Sequence, residues 1–453
     1  MTVHELVQLQ RDSFLSQPRF TVDQRRDQLE LLYKAIRRWE QPICEALEHD
    51  LGKCPGEAYL TEIGPVLSEI SHAIRHLRKW SRPVRKHMPL SQFPARGLIL
   101  REPYGVVLIV ASWNYPFLLT LSPLVGALAA GNRCVVKPGI AAAQTAQVIA
   151  EMLAECFPVE QVAVVLGGSA DNQALLDERF DSIFYTGGVR MGRIVMEKAA
   201  RHLTPVTLVL GGKSPCIVDE SANIRLAARR IAFGKALNAG QTRIAPDYIL
   251  VQEQVMDRLI GEIKACWDES FGNALYNPQY PRMIDARHYD RVMALIEEEG
   301  VSCDGIGDGA RIAPTILTGV TWDSPIMQEE IFGPVLPVLP FREIGDVIER
   351  LQQMEKPPAL YLFSNRQRVK DAVMRRLSFG GGCVNDTVLY PANRKLPFGG
   401  VGMSGIGRYH GRYSFDAFSH EKPVLLRGLR PDIKARYAPY SQNKLNFFKK
   451  TMK

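Results

Sequence analysis

The feature that most constrains this chain is an alternation between residues 103 and 188. Four short apolar runs, GVVLIVAS (105–112), RCVVKP (133–138), VAVVLGG (162–168) and SIFYTGG (182–188), are separated by stretches of helical character. Strands this rich in Val and Ile, spaced by helices, belong in a parallel sheet covered on both faces. Ligands on such sheets bind beyond the carboxyl ends of the strands. That rule brings SWNYP (112–116), KPG (137–139) and TGGVRMG (186–192) to one rim. A second α/β unit is expected from about Thr207 to Leu396, followed by the Gly-rich LPFGGVGMSGIGR (396–408). Upstream, Thr21 and Gln24 form a capping-box pattern ahead of Leu29, Leu32, Ile36, Trp39 and Ile43 at helical spacing. Pro42 kinks that helix or opens the next.

Composition narrows the class. With 46% hydrophobic and 23% charged residues among 453, the chain has the balance of a globular protein. No apolar run reaches the length of about 18 residues that a bilayer span needs. The start, MTVHELVQLQRD, lacks the basic-then-apolar order of a secretory signal. Eight cysteines lie singly with no CxxC pair, which points to a reduced, cytoplasmic chain without a metal site. The net charge of +8 is nearly all in residues 421–453, where nine Lys/Arg face two Asp/Glu. A basic tail can meet phosphates or an anionic membrane. The plainer expectation is a solvated tail packed on a neighbouring subunit. Nucleic acid is not expected, because its binders carry their charge on a folded face.

Within the rim, Gly187, Gly188 and Gly192 of TGGVRMG would let backbone approach a pyrophosphate at a helix N-terminus. The spacing is not GxGxxG, so a tight turn without ligand fits equally. Lys137 can reach a ribose or phosphate, or simply end a strand in solvent.

Taken together, PYGVVLIVASWNYPF, AGNRCVVKP, FYTGGVRMG, LVLGGKSP, NAGQTRIAPDY, EEIFGP and LPFGGVGMSGIGRYHGRYSFDAFSH resemble the aldehyde dehydrogenase superfamily, in particular its class 3, fatty aldehyde dehydrogenase-like branch. The resemblance runs from about residue 10 to 440. It implies an α/β fold with a Rossmann-like dinucleotide-binding domain (1–80 and 103–207) and an α/β catalytic domain (208–395). A bridging element that pairs subunits into homodimers, with the basic tail, would take 81–102 and 396–453. It also implies that Asn114 donates to an oxyanion and that Trp113 lies in the cofactor cleft. Lys137, with Gly139 beside it, would hold the adenosine ribose, and Gly187, Gly188 and Gly192 the glycine-rich turn. Glu330 and Phe332 would hold the nicotinamide ribose and ring. The Glu that bonds the ribose hydroxyls in KPSE is Ile140 here, which favours NADPH over NADH.

Two departures concern the chemistry. The family's general base is a Glu where this chain has Val209, and its nucleophilic Cys is replaced by Arg243. A thiolate must form a thiohemiacetal, and the Glu must activate water to hydrolyse the thioester that follows. Valine moves no proton, and arginine stays protonated. Cys216, Asp247 and Glu329 are the nearest substitutes, and none stands at a lost position. The expectation drawn is an NAD(P)H-dependent reductase delivering hydride directly to an imine or carbonyl. Arg243 would then hold a substrate anion, and Tyr115 beside Asn114 would donate the proton. The alternatives are an inactive relative acting as a binding subunit and an NAD(P)-dependent aldehyde dehydrogenase.

Overall fold

The computed structural model describes residues 1–16, 19–89, 92, 94–303, 305–430 and 432–451. Lys453 of the basic tail lies outside them. Among the described residues, fifteen strands form three sheets: β1 (Val84–Lys86), β2 (Ala95–Pro103), β3 (Val106–Val110), β4 (Arg133–Lys137), β5 (Val162–Val164), β6 (Ser182–Thr186), β7 (Val206–Val209), β8 (Pro215–Val218), β9 (Tyr248–Gln252), β10 (Thr315–Leu317), β11 (Val335–Phe341), β12 (Ala359–Phe363), β13 (Gly381–Val384), β14 (Gly405–Ile406) and β15 (Ser419–Arg427). The expected parallel sheet is present in the order β14-β7-β6-β3-β4-β5, with β14 alone antiparallel.

The alternation of side chains explains why both faces of this sheet are dry. Val107 and Ile109 enter one apolar cluster, whereas Val106 and Leu108 enter another on the opposite face. The first cluster is closed by the helix Pro116–Ala130, of which every residue but Leu118 is buried. Each Leu or Phe so buried contributes about 1.5–3 kcal/mol. That helix stops at Gly131 in the left-handed region, with φ of 96°. The capping box of Thr21 and Gln24 is formed at the start of the helix Val22–Arg38. Trp39 ends it, and Pro42 falls in the first turn of the next helix, Glu40–Leu51.

The second sheet, β10-β11-β9-β8-β12-β13, is wholly parallel and surrounds its own core. Val209 ends β7 of the first sheet, and the chain crosses to β8 of the second at residues 210–214. β14 adds to the first sheet, and Tyr409, Phe415 and Phe418 fill its core. The third sheet joins β2 to β1 and β15 through antiparallel pairs from Ser419–Pro103 to Arg427–Ala95. No described helix is long and apolar enough to cross a membrane.

Candidate active site

Parallel register brings the predicted segments together. Val110 at the end of β3 lies opposite both Lys137 and Tyr185, and Thr186 lies opposite Val209. Beyond those ends, the Ser112 amide donates to Thr186 Oγ1 at 3.1 Å and the Ala111 amide to the Lys137 carbonyl at 2.9 Å. Gly139 is forced by this closeness, since a Cβ there would stand 2.6 Å from the Trp113 nitrogen. The rim is therefore a single structure.

One side of the rim is polar. Lys137 is only 2% exposed, donates to the Pro138 carbonyl at 3.0 Å, and forms no ion pair among the described residues. Burial lowers its pKa. Ile140 is about half exposed, so it does not fill an apolar gap. The glycine turn divides by role. A Cβ on Gly187 would strike the Tyr185 hydroxyl, and one on Gly192 would strike Leu210. Gly188 faces open space at the start of the helix Val189–Ala200, with no side chain capping its amides. Trp113 stands edge-on to Phe332, at 5.5 Å between ring centres. Glu330 Oε1 is buried with no hydrogen-bond partner. Burial pushes the Glu330 carboxyl up to about 7, against the opposing pull of Arg243.

The other side is an apolar cavity of about 220 Å³ reaching Asn114, Tyr115, Val209 and Arg243. Val209 and Arg243 thus share one chamber although 34 residues apart. Among the described residues, the lining of that chamber contains no cysteine and no carboxylate. Cys216 is buried in the second sheet's core and cannot substitute. Asp247 is held by Lys213 at 2.6 Å and accepts the Ile331 amide at 3.1 Å, latching the EEIFGP loop.

Arg243 lies between the two sides. Its Nη1 is 3.7 Å from Glu330 Oε2, and its guanidinium carbon is 5.3 Å from the centre of the Phe332 ring. The loop that delivers it is strained: Asn238 and Ala239 both adopt left-handed backbone, with φ of 53° and 50°. Each such residue costs on the order of 1 kcal/mol. Tertiary bonds hold the strain in place. The Asn238 amide donates to Glu57 Oε1 at 2.7 Å, and its side chain donates to the Asn114 carbonyl at 2.6 Å. Asn114 Nδ2 in turn donates to the Gln241 carbonyl at 3.0 Å.

Beneath this loop is a buried ion pair that sequence reasoning missed. Lys53 donates to Glu62 at 2.5 Å, and Glu62 accepts the Phe117 and Leu118 amides at 2.8 and 3.1 Å. Tyr115 stacks on Lys53 and shares its hydroxyl with Thr242. Burial raises the tyrosine pKa far above the ordinary value. The hydroxyl is thus engaged with Thr242 at the chamber wall. His410, Arg394 and Phe398 also line the cavity. Phe398 and His410 belong to the motif LPFGG…GRYHG, which was visible in the sequence, but nothing local in it pointed to the cavity.

A profile described as the aldehyde dehydrogenase family matches residues 1–424. The chain is 46% identical to a 4,4'-diaponeurosporen-aldehyde dehydrogenase of Staphylococcus aureus, covering 92% of each. It is 42% identical to a dimeric NADP-preferring aldehyde dehydrogenase of Canis lupus familiaris, over 96% of this chain and 98% of the relative. A solved structure, the substrate-bound state of Staphylococcus aureus AldH, superposes with a TM-score of 0.97 at 44% identity, covering all of both chains. These findings overturn the expected reductase acting on imines or carbonyls, and the binding-subunit alternative with it, because full-length relatives are named for aldehyde oxidation. The chain belongs to the aldehyde dehydrogenase family.

Proposed function

We propose that this protein oxidises an apolar aldehyde to its acid with NAD(P) as hydride acceptor, using the aldehyde's hydrate as the hydride donor. The observation that carries this reading is the apolar chamber, which reaches Asn114 and Arg243 yet offers no thiol or carboxylate. Hydration of RCHO gives RCH(OH)2 without a protein nucleophile. Loss of a hydride and a proton from that diol gives RCOOH, so no acyl-enzyme is required.

The residues present fit a dinucleotide: a buried lysine without an ion-pair partner, open amides at Gly188, and a carboxylate oxygen without a partner at Glu330. Lys137, Gly139, Gly187, Gly188 and Gly192 would hold the ribose and phosphates. Trp113, Glu330 and Phe332 would line the nicotinamide end. When bound, the cofactor supplies the hydride acceptor. Asn114 keeps one amide hydrogen to orient the substrate oxygen. Arg243 cannot attack a carbonyl, but its planar cation matches a carboxylate product through paired hydrogen bonds. Glu330, close to neutral pH in its titration, takes the released proton. NADP is the preferred cofactor in this reading, because Ile140 presents no carboxylate to repel a 2′-phosphate and Lys137 attracts one. The assembly is a homodimer, as the dimeric relative suggests.

The test is incubation of the purified protein with a medium- or long-chain aldehyde and each oxidised cofactor. The expected result is one acid formed per reduced cofactor, with NADP the better acceptor. No acid from any apolar aldehyde, with cofactor shown to be bound, would sink the proposal.

A further inference from the structure

The guanidinium of Arg243 sits against the two side chains assigned above to the nicotinamide end of the cleft. Its Nη1 is 3.7 Å from Glu330 Oε2, and its central carbon lies 5.3 Å from the middle of the Phe332 ring. Gly211 leaves room for it, since a Cβ there would stand 2.9 Å from Nη1 and closer still to Glu330. The arginine side chain is 13% exposed, and its buried Nε has no hydrogen-bond partner. Among the described residues, Glu330 is its only ion-pair partner. Burial pushes that carboxyl up to about 7, so near neutral pH it offsets the cation only in part. Lys213 and Arg291 reach the same loop, but each is held by another carboxylate, Asp247 and Glu329. A guanidinium stays protonated at neutral pH.

We infer that Arg243 makes this cleft bind the reduced dinucleotide more tightly than the oxidised one, and so strengthens the pull on the substrate's hydride. The inference rests on the oxidation reading above, in which Glu330 and Phe332 line the nicotinamide end. An oxidised nicotinamide ring carries one positive charge, and the reduced ring carries none. A fixed cation nearby therefore opposes the first and is indifferent to the second. Salt screens the repulsion little in a site that is largely buried. When RCH(OH)2 reacts, the electron pair of its C–H bond passes with the hydrogen to the ring, which loses its charge. The released proton goes to Glu330, and RCOOH remains. Arg243 thus favours the product side although it has no atom that attacks an aldehyde.

The experiment is equilibrium binding to the parent, Arg243→Gln and Arg243→Lys, with no aldehyde present. NADPH is followed by its fluorescence, and NADP by displacement of NADPH, with NADH and NAD run in parallel. Displacement by 2′,5′-ADP, which lacks the nicotinamide, reports on the rest of the site. The expected Kd of the parent for NADPH is at least about tenfold below that for NADP, equivalent to raising the bound couple by about 30 mV. Arg243→Gln keeps most of the side chain's bulk and loses its charge. It should shrink the ratio about tenfold, chiefly by tightening the oxidised form. Arg243→Lys should preserve the ratio, and 2′,5′-ADP should bind all three proteins alike. An unchanged ratio in Arg243→Gln would overturn the inference. So would an equal loss of both forms together with 2′,5′-ADP, the mark of a merely structural role. No binding of any of the four dinucleotides to the parent would sink the oxidation reading and this inference with it, an outcome distinct from binding without discrimination.

Discussion

The two sides of the cleft have been treated differently. The side lined by Lys137, Gly188, Glu330 and Phe332 keeps a buried lysine, a buried carboxylate oxygen without a hydrogen-bond partner, and open amides at Gly188. The chamber side has Asn114, Val209 and Arg243 in its lining and, among the described residues, neither a thiol nor a carboxylate. Recognition and covalent chemistry therefore reside in different residues, and one can change while the other stands. A loop strained at Asn238 and Ala239 and pinned to Asn114 delivers residue 243 whatever its side chain is.

The largest effect should come from restoring both reactive groups. Arg243→Cys with Val209→Glu should raise acid production by about a thousandfold or more, since a positioned general base alone supplies roughly 10²–10⁴. Arg243→Cys by itself should do much less, because Val209 cannot activate the water that hydrolyses a thioester. Full turnover from the single change would break the comparison. A second effect of similar free energy concerns the support common to both sides. Lys53 and Glu62 are fully buried. Removing one partner by Glu62→Ala should destabilise the fold by about 3–5 kcal/mol, measured by denaturant unfolding.

A pH profile probes the boundary. Glu330 accepts a proton only when ionised, and burial holds its carboxyl up to about 7. Oxidation should therefore fall as pH drops through that value and level off above it. Arg243 lowers this pKa, so Arg243→Ala should move the limb to higher pH. A profile flat from pH 5 to 9 would remove Glu330 from the reaction. The smallest effect is cofactor choice. The parent should prefer NADPH to NADH, and Ile140→Glu should reverse a preference of about tenfold, read by fluorescence titration.

Much of the fold was legible because it repeats a local rule. The 105–188 alternation has the periods of strand and helix, and Thr21 with Gln24 is a local cap. The rim segments followed from strand order. What was not legible depends on partners far apart in the chain. Arg243 pairs with Glu330, 87 residues away, whereas the nearer Asp247 is already taken by Lys213. No local pattern announces that the nearby Lys53 and Glu62 reach Asn114 and Phe117, more than 50 residues on, or that residues 405–406 return to the first sheet. The substituted positions 209 and 243 were plain in the sequence. Their consequence for function was overdrawn there, because a change of two reactive residues was read as a change of reaction.

The most direct test of the account is the intact mass of Arg243→Cys after incubation with an apolar aldehyde and NADP. If the cleft still aligns aldehyde and cofactor, the new thiol forms the thiohemiacetal, hydride leaves, and the thioester persists because Val209 cannot help water attack it. The account predicts one acyl adduct per chain on Arg243→Cys, absent from the parent and short-lived when Val209→Glu is added. An Arg243→Cys protein that binds cofactor yet carries no adduct would contradict it, showing that the chamber no longer presents an aldehyde to position 243.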